Sequence, residues 1–411
     1  MSQHTINESA HTSATAAMPH HIPAETDPVT EEEVFHGHEG GKLSVTATRP
    51  ISRSRDLAVA YTPGVAKVSS AIAADASQAA RYTWANRLVA VVSDGTAVLG
   101  LGDIGPSASL PVMEGKSVLF KSFAELDSIP LVLDTSDPDE IVATLVRMRP
   151  SFGAVNLEDI SAPRCFEIED KAKAALDCPV FHDDQHGTAV VVLAALRGAN
   201  AVRDRSLAAQ RVVIAGAGAS GVACARILLA AGVGDVTVLD SQGILHPDRS
   251  GLNPVKADLA ERTNSAGLRG GQAEALRGAD VYLGLSGSTI SPQLLATMAA
   301  DPVVFALSNP QPEITPDVAA QYASVVATGR SDFCNQINNV LAFPGIFRGA
   351  LDAGATMITE NMKLAAAEAI FRVAADELAA DAIVPSPLDP RVAPEVGAAV
   401  ERAAIADGVT G

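Results

Sequence analysis

The sequence predicts an α/β protein of two domains, the second a Rossmann-like, doubly wound parallel sheet that ends in helices. Three observations carry that prediction. Short apolar runs alternate with helical periodicities along most of the chain. A GxGxxG turn at 216–221 follows one of those runs and leads straight into an apolar helix. Past Phe343 the strand pattern gives way to helix alone. At 411 residues with 47% hydrophobic content, the chain is also too long for one compact core, which again divides it in two.

Taken in order, residues 1–34 form a tail rich in Ser, Thr, Ala, His and Glu, expected to be mobile because it buries too little surface to offset ordering. His20, His21, His36 and His38 carry ligating nitrogens, but a solvated, compositionally biased tail needs no metal, and no function is assigned to them. Residues 35–187 read as the first α/β domain, with strands over 87–92 and 129–133 and helices over 112–123 and 139–148. Residues 188–411 read as the second. It opens with a helix over 188–200, runs through strands over 211–215, 236–239, 281–285 and 303–307, and closes with a helix over 363–380, a Pro-rich 385–394 and a final helix.

The formal charge of −18, from 48 acidic against 30 basic side chains, repels phosphate backbones and excludes a nucleic-acid or anionic-membrane partner. A dianionic substrate would need a metal or a local Lys or Arg to reverse that field. Cys165, Cys178, Cys224 and Cys334 are scattered without a CxxC pair, as expected of reduced, buried thiols in a cytoplasmic protein. No signal sequence opens the chain and apolar runs such as 189–196 are short of a membrane span, so a soluble protein is expected.

In Gly216-Ala217-Gly218-Ala219-Ser220-Gly221, Gly216 permits the tight turn, Gly218 lets a pyrophosphate approach, and Gly221 lets helix and strand pack. The N–H groups at Ala219 and Ser220 then face the phosphates. Asp240 ends the next strand, where a carboxylate accepts from an adenosine ribose. It also opposes the extra phosphate of NADP. Because Ser241 and Gln242 add no charge, NAD is expected, with NADP admitted if Arg249 or Lys256 folds back.

Two carboxylate pairs, Glu158-Asp159 and Asp183-Asp184, sit where short strands should end. Neighbours on a strand point to opposite faces, so a pair reaches one ion only where the backbone turns. Carboxylates are hard ligands suited to Mg2+ or Mn2+. Taken alone, either pair also reads as a solvated turn or helix cap.

Further motifs add a resemblance. Tyr61-Thr62-Pro63-Gly64-Val65-Ala66, Gly100-Leu101-Gly102-Asp103-Ile104-Gly105, Pro111-Val112-Met113-Glu114-Gly115-Lys116, Asn156-Leu157-Glu158-Asp159-Ile160, Asp183-Asp184-Gln185-His186-Gly187-Thr188, Ser308-Asn309-Pro310 and Asn338-Asn339-Val340 resemble those of the malic enzyme family in its short microbial form, from about 41 to 391. The resemblance implies oxidative decarboxylation of L-malate to pyruvate and CO2 by a homodimer or larger assembly. It implies Glu158, Asp159 and Asp184 as metal ligands, Lys116 as base with its pKa lowered by burial and the cation, Tyr61 as acid, and Asp183 in support. Asn309 and Asn339 are implied as contacts to malate, with Asn309 near the cofactor too. Lys121, the other lysine of its helix, should face elsewhere.

One departure stands out. Larger members carry an arginine shortly before GLGD to hold the substrate carboxylate, and here the stretch reads Asp94-Gly95-Thr96-Ala97-Val98-Leu99. The metal, Asn309, Asn339 or the backbone at Gly95 would have to serve instead. Competing readings are a malolactic-type enzyme that keeps its NAD and releases lactate, a non-catalytic nucleotide-sensing module, and an amino-acid dehydrogenase, which would not need the carboxylate pairs.

Overall fold

The computed structural model describes residues 29–98 and 100–411. His20, His21 and the tail up to residue 28 lie outside the described residues. Glu31–His36 is a helix closed by a capping box, with Thr30 Oγ1 accepting from Glu33 N at 3.2 Å and Glu33 Oε2 from Thr30 N at 2.8 Å. His36 and His38 join no group of metal ligands among the described residues, and His38 Nε2 instead meets Lys42 Nζ at 2.8 Å.

The next helices, Ser54–Ala60, Val65–Ala74 and Gln78–Tyr82, contain no buried residue. Among the described residues one stretch, Ser54–Ala74, is long and apolar enough by composition to cross a membrane. It folds, however, as helices of 7 and 10 residues interrupted at Tyr61-Thr62-Pro63-Gly64, each well short of the roughly 20 residues that a bilayer requires. This exposed arm leads into the first sheet.

Strands β1 (Leu88–Ser93), β2 (Asp127–Val132), β3 (Ala154–Leu157) and β4 (Val180–His182) form a parallel sheet in the order β2-β1-β3-β4. β1 and β3 are buried throughout, which explains why they read as continuous apolar runs and not as alternating ones. Val89 pairs with Ala154 and Val92 with Leu157, a register that continues to set Ser93 level with Glu158 and Asp94 level with Asp159 where the strands end. β5 (Arg211–Ala215), β6 (Asp235–Asp240), β7 (Gly243–Ile244), β8 (Val281–Gly284), β9 (Val303–Ala306) and β10 (Val325–Thr328) form a second sheet in the order β10-β9-β8-β5-β6-β7. Only the short β7 runs antiparallel.

Both sheets share one topological device. The chain leaves β1 for β2 on one side and returns as β3 on the other; it leaves β5 for β6 and returns as β8. Each reversal opens a crevice at the carboxyl ends of the strands, where α/β sheets bind ligands.

The helix Asp183–Val202 begins five residues before the expected 188 and carries the chain unbroken across the 187/188 boundary. The core is likewise continuous: Val89, Phe120, Val191, Ile214, Phe305, Phe347 and Ile370 belong to one buried cluster. Phe120 meets Phe343 and Phe347 edge-on at 4.8 and 5.2 Å, seating the helix Phe343–Asp352 on the helix Pro106–Ala124. Burying each such ring contributes about 1.5–3 kcal/mol. Three of the four thiols are buried as expected, and burial pushes Cys178 up to about 11; Cys334 is exposed.

Candidate active site

The helix Pro106–Ala124 buries Met113, Ser117 and Phe120. Lys116, one turn from Met113 and from Phe120, shares that inward face. Its ammonium lies 2.7 Å from Asp183 Oδ2, 2.8 Å from Glu158 Oε1 and 4.3 Å from the centre of the Phe343 ring. Burial pulls this ammonium down, but the two carboxylates outweigh it and hold Lys116 above the usual lysine value. The lowering that the resemblance implies depends on a bound cation as well as burial; the carboxylates by themselves act in the opposite direction. Lys121 points away and pairs with Asp127 at 2.9 Å.

Asp183 is fully buried. Its Oδ2 accepts from Lys116 and from Asn339 Nδ2 at 3.1 Å, while Oδ1 has no hydrogen-bond partner. Burial raises its carboxyl, opposed by Lys116. A Cβ on Gly187 would lie 1.9 Å from that free oxygen, so the glycine of the DDQHG run makes room for the aspartate one turn earlier. The Asp183-Asp184 pair follows the end of β4 directly, as expected, and opens a helix there; helix N-termini favour carboxylates.

At the end of β3 the backbone turns as the paired carboxylates require, with Asp159 at φ 52°. One oxygen each from Glu158, Asp159 and Asp184 lie within 4.8 Å of one another. Asp159 N donates to Asp184 Oδ2 at 2.8 Å, and Asn156 Nδ2 to Glu158 Oε2 at 2.9 Å. Burial pushes the Glu158 carboxyl well up, against the pull of Lys116. Buried, crowded hard oxygens of this kind suit a divalent cation.

The second crevice is a cleft of about 670 Å³ lined by Gly216, Gly218, Asp240, Lys256, Leu285 and Ser286, with Ala162, Pro163 and Phe166 from the first sheet's side. Gly216 sits at φ 127°, and a Cβ there would press on Leu285 O at 2.7 Å; a Cβ on Gly221 would strike Gly216 O at 1.9 Å. Gly218 faces open space and caps the helix Ala219–Ala230, whose first turn carries Ser220. The turn expected at Gly216 and the close packing expected at Gly221 are both present, and Gly218 leaves the cleft side of the turn open.

At Asp240 the alternative that the sequence left open is the one found: both Arg249 and Lys256 fold back. Arg249 Nη2 reaches its two oxygens at 2.6 and 2.7 Å, and Lys256 Nζ lies 2.8 Å from Oδ2. Burial alone would raise this carboxyl; the two cations lower it instead. The ribose end of the cleft thus carries one net positive charge, where the local sequence at Ser241 and Gln242 showed none.

Residues 40–173 match the model of the malic enzyme N-terminal domain and residues 185–405 that of the malic enzyme NAD binding domain. The chain belongs to the malic enzyme family. It is 52% identical to the NAD-dependent malic enzyme of Geobacillus stearothermophilus, over 92% of this chain and 80% of that one. To the bifunctional malic/malolactic enzyme of Bacillus subtilis it is 50% identical, over 92% and 94%. The crystal structure of malic enzyme from Pyrococcus horikoshii superposes with a TM-score of 0.89 at 43% identity, over 92% and 91%. The reaction is therefore oxidative decarboxylation of malate with NAD or NADP.

For a malic enzyme, the remaining candidates are unevenly placed. Asn339 is in the pocket: Nδ2 donates to Asp183 and Oδ1 accepts from Thr188 Oγ1 at 3.2 Å. Asn309 sits on the exposed loop after β9, where its carbonyl would lie 2.6 Å from a Cβ on Gly100, so this loop abuts the GLGD turn. Tyr61 is not brought to the site within this chain; it is 66% exposed and no hydrogen bond joins its side chain to Lys116 or the carboxylates. The Gly95 backbone is already engaged, its N–H by Ser93 Oγ at 3.0 Å and its carbonyl by Ile104 N at 3.1 Å.

Sequence reasoning missed Glu169. Its buried carboxylate gathers His182 N at 3.2 Å, Gln185 Nε2 at 3.2 Å, His186 Nε2 at 2.9 Å and Lys173 Nζ at 2.8 Å. It clamps the segment that carries Asp183 and Asp184. The only signal in the sequence was an acidic residue on the helical face that also holds Cys165, Ile168 and Ala172.

Proposed function

We propose that the pocket at the carboxyl ends of β1 and β3 performs the malic enzyme reaction with a divalent metal, Mg2+ or Mn2+. Glu158, Asp159 and Asp184 would hold it, and their converging oxygens, the first two residues buried and Asp184 partly open, carry this part of the reading. When bound, the ion supplies Lewis-acid polarisation of the substrate oxygens. A dinucleotide in the second crevice, when bound, would supply the oxidant by accepting the C2 hydride at its nicotinamide. Lys116 passes its proton to Asp183, 2.7 Å away, and its free amine accepts the C2 hydroxyl proton as C2 loses that hydride and becomes a carbonyl. Asn339 holds Asp183 from the far side. After the C4 carboxylate departs as CO2, Tyr61 donates a proton to C3, leaving pyruvate.

Because Tyr61 lies on an arm whose helices bury nothing, we assign that arm to a second copy of the chain. Phe35, Leu57, Val59, Tyr61, Val65 and Trp84 are all exposed on it, an apolar display that isolated soluble chains avoid. A homodimer would cover it and supply each site's tyrosine from the partner. Reduced, scattered thiols support a cytoplasmic setting.

The cations on Asp240 favour acceptance of NADP beside NAD, since they neutralise the carboxylate and leave a charge for a 2′-phosphate. The test is turnover of malate with NAD or NADP in Mg2+, Mn2+ or chelator, following pyruvate and reduced cofactor. Chelator-insensitive turnover would overturn the metal assignment. The similarity to a bifunctional relative also favours a malolactic side activity, detected as lactate formed without accumulating NADH.

A further inference from the structure

Glu313 is buried at 2% exposure, and among the described residues no ion pair includes it. An unpaired buried carboxylate is costly unless donors surround it. Here they do: Ser286 N donates to Oε1 at 3.2 Å, Ser308 N to Oε2 at 3.3 Å, and the Ser308 hydroxyl to Oε1. Ser308 Oγ in turn accepts from Gly287 N at 2.9 Å. The carboxyl fills the space a side chain at Gly284 would need, since a Cβ there would fall 2.4 Å from Glu313 Cδ.

These contacts join two loops of different duty. Leu285, Ser286 and Ser288 wall the nucleotide cleft. Ser308 leads into Asn309, whose carbonyl abuts the GLGD turn at Gly100 and whose amide closes on Gly329. A neutral residue could fill the same space, but only an anion takes three donors from both loops at once without presenting one of its own.

We propose that Glu313 is a positioning residue that couples the nucleotide cleft to the substrate loop, so that seating a dinucleotide against 285–288 fixes Asn309 for the hydroxy acid. This rests on the reading of Asn309 as a substrate contact. Binding of one ligand then tightens the other reciprocally, by about fivefold or more for coupling of ordinary strength.

The test is fluorescence titration of NADH into the Mg2+-supplied full-length protein, with and without saturating tartronate, a non-decarboxylating hydroxydicarboxylate. The wild type should bind NADH at least about fivefold tighter with tartronate present. In Glu313→Gln, whose amide turns a donor against backbone donors, that ratio should fall to about one. Ser308→Ala, which removes the hydroxyl donor to Glu313 and its link to Gly287 N but keeps the two backbone donors, should give an intermediate ratio and serves as the deciding variant if Glu313→Gln does not fold. A purely structural role would weaken each ligand yet leave the ratio unchanged, and that result, or a ratio of one in the wild type, would overturn the proposal. Asn309→Ala separates the two readings: unchanged tartronate affinity there defeats the assignment of Asn309, whereas weakened affinity with a wild-type ratio in Glu313→Gln defeats the coupling alone.

Discussion

Gly187→Ala adds one carbon, and the geometry says where it lands. The new Cβ would sit 1.9 Å from Asp183 Oδ1 and 2.8 Å from its Cγ, with Asn339 Cβ at 3.4 Å on the other side. Asp183 has no exposed space to swing into, and its other oxygen is held by Lys116 at 2.7 Å and Asn339 at 3.1 Å. The carboxylate must rotate and give up that pair. Breaking a buried ion pair costs about 3–5 kcal/mol, while alanine for glycine inside a helix returns about 1 kcal/mol. The net destabilisation expected is about 2–4 kcal/mol. Activity should fall further, since a displacement of about 1 Å in a proton-transfer group costs about 10²-fold. Denaturant unfolding followed by circular dichroism reads the first number, and initial rates of malate-dependent NADH formation read the second. A variant with wild-type stability and kcat within about threefold would refute the claim that Asp183 is wedged in place and needed there.

Four other outcomes are expected. Lys116→Ala should lower malate oxidation by about 10²–10⁴-fold, whereas Tyr61→Phe should spare oxaloacetate reduction and impair decarboxylation; equal loss of both partial reactions in Tyr61→Phe would undo that division. If the tyrosine comes from the partner, mixing the two inactive variants under subunit exchange should restore about a quarter of wild-type activity, through heterodimers with one intact site. Lys256→Gln should raise KM for NADP by about 10-fold or more, the loss of one charge-assisted hydrogen bond, with little change for NAD; equal effects on both cofactors would count against a phosphate at that end. Mn2+ at 100 times its Kd should stabilise the wild type by about 2.7 kcal/mol, and calorimetry should show that gain lost in Asp184→Asn and reversed by chelator.

The apolar runs by themselves marked most of the strands, since those buried on two faces, such as β1 and β3, have no polar alternation to obscure them, and the glycine spacing marked the nucleotide turn, where a side chain at 216 or 221 would strike backbone. Two short strands escaped: β7 is only two residues, and β10 is a four-residue run, Val325–Thr328, with too few positions to establish a period. The carboxylate pairs were visible but ambiguous, because the turn at Asp159 and the helix start at Asp183 depend on what packs around them. Only the tertiary structure brought together Lys116, Glu158 and Asp183 from three separate segments. It alone returned Arg249 and Lys256 to Asp240, and it alone set Glu313 beneath two loops. Burial decided these pairings. A charge on a linear sequence is solvated by default, and it acquires a partner only when folding removes the water.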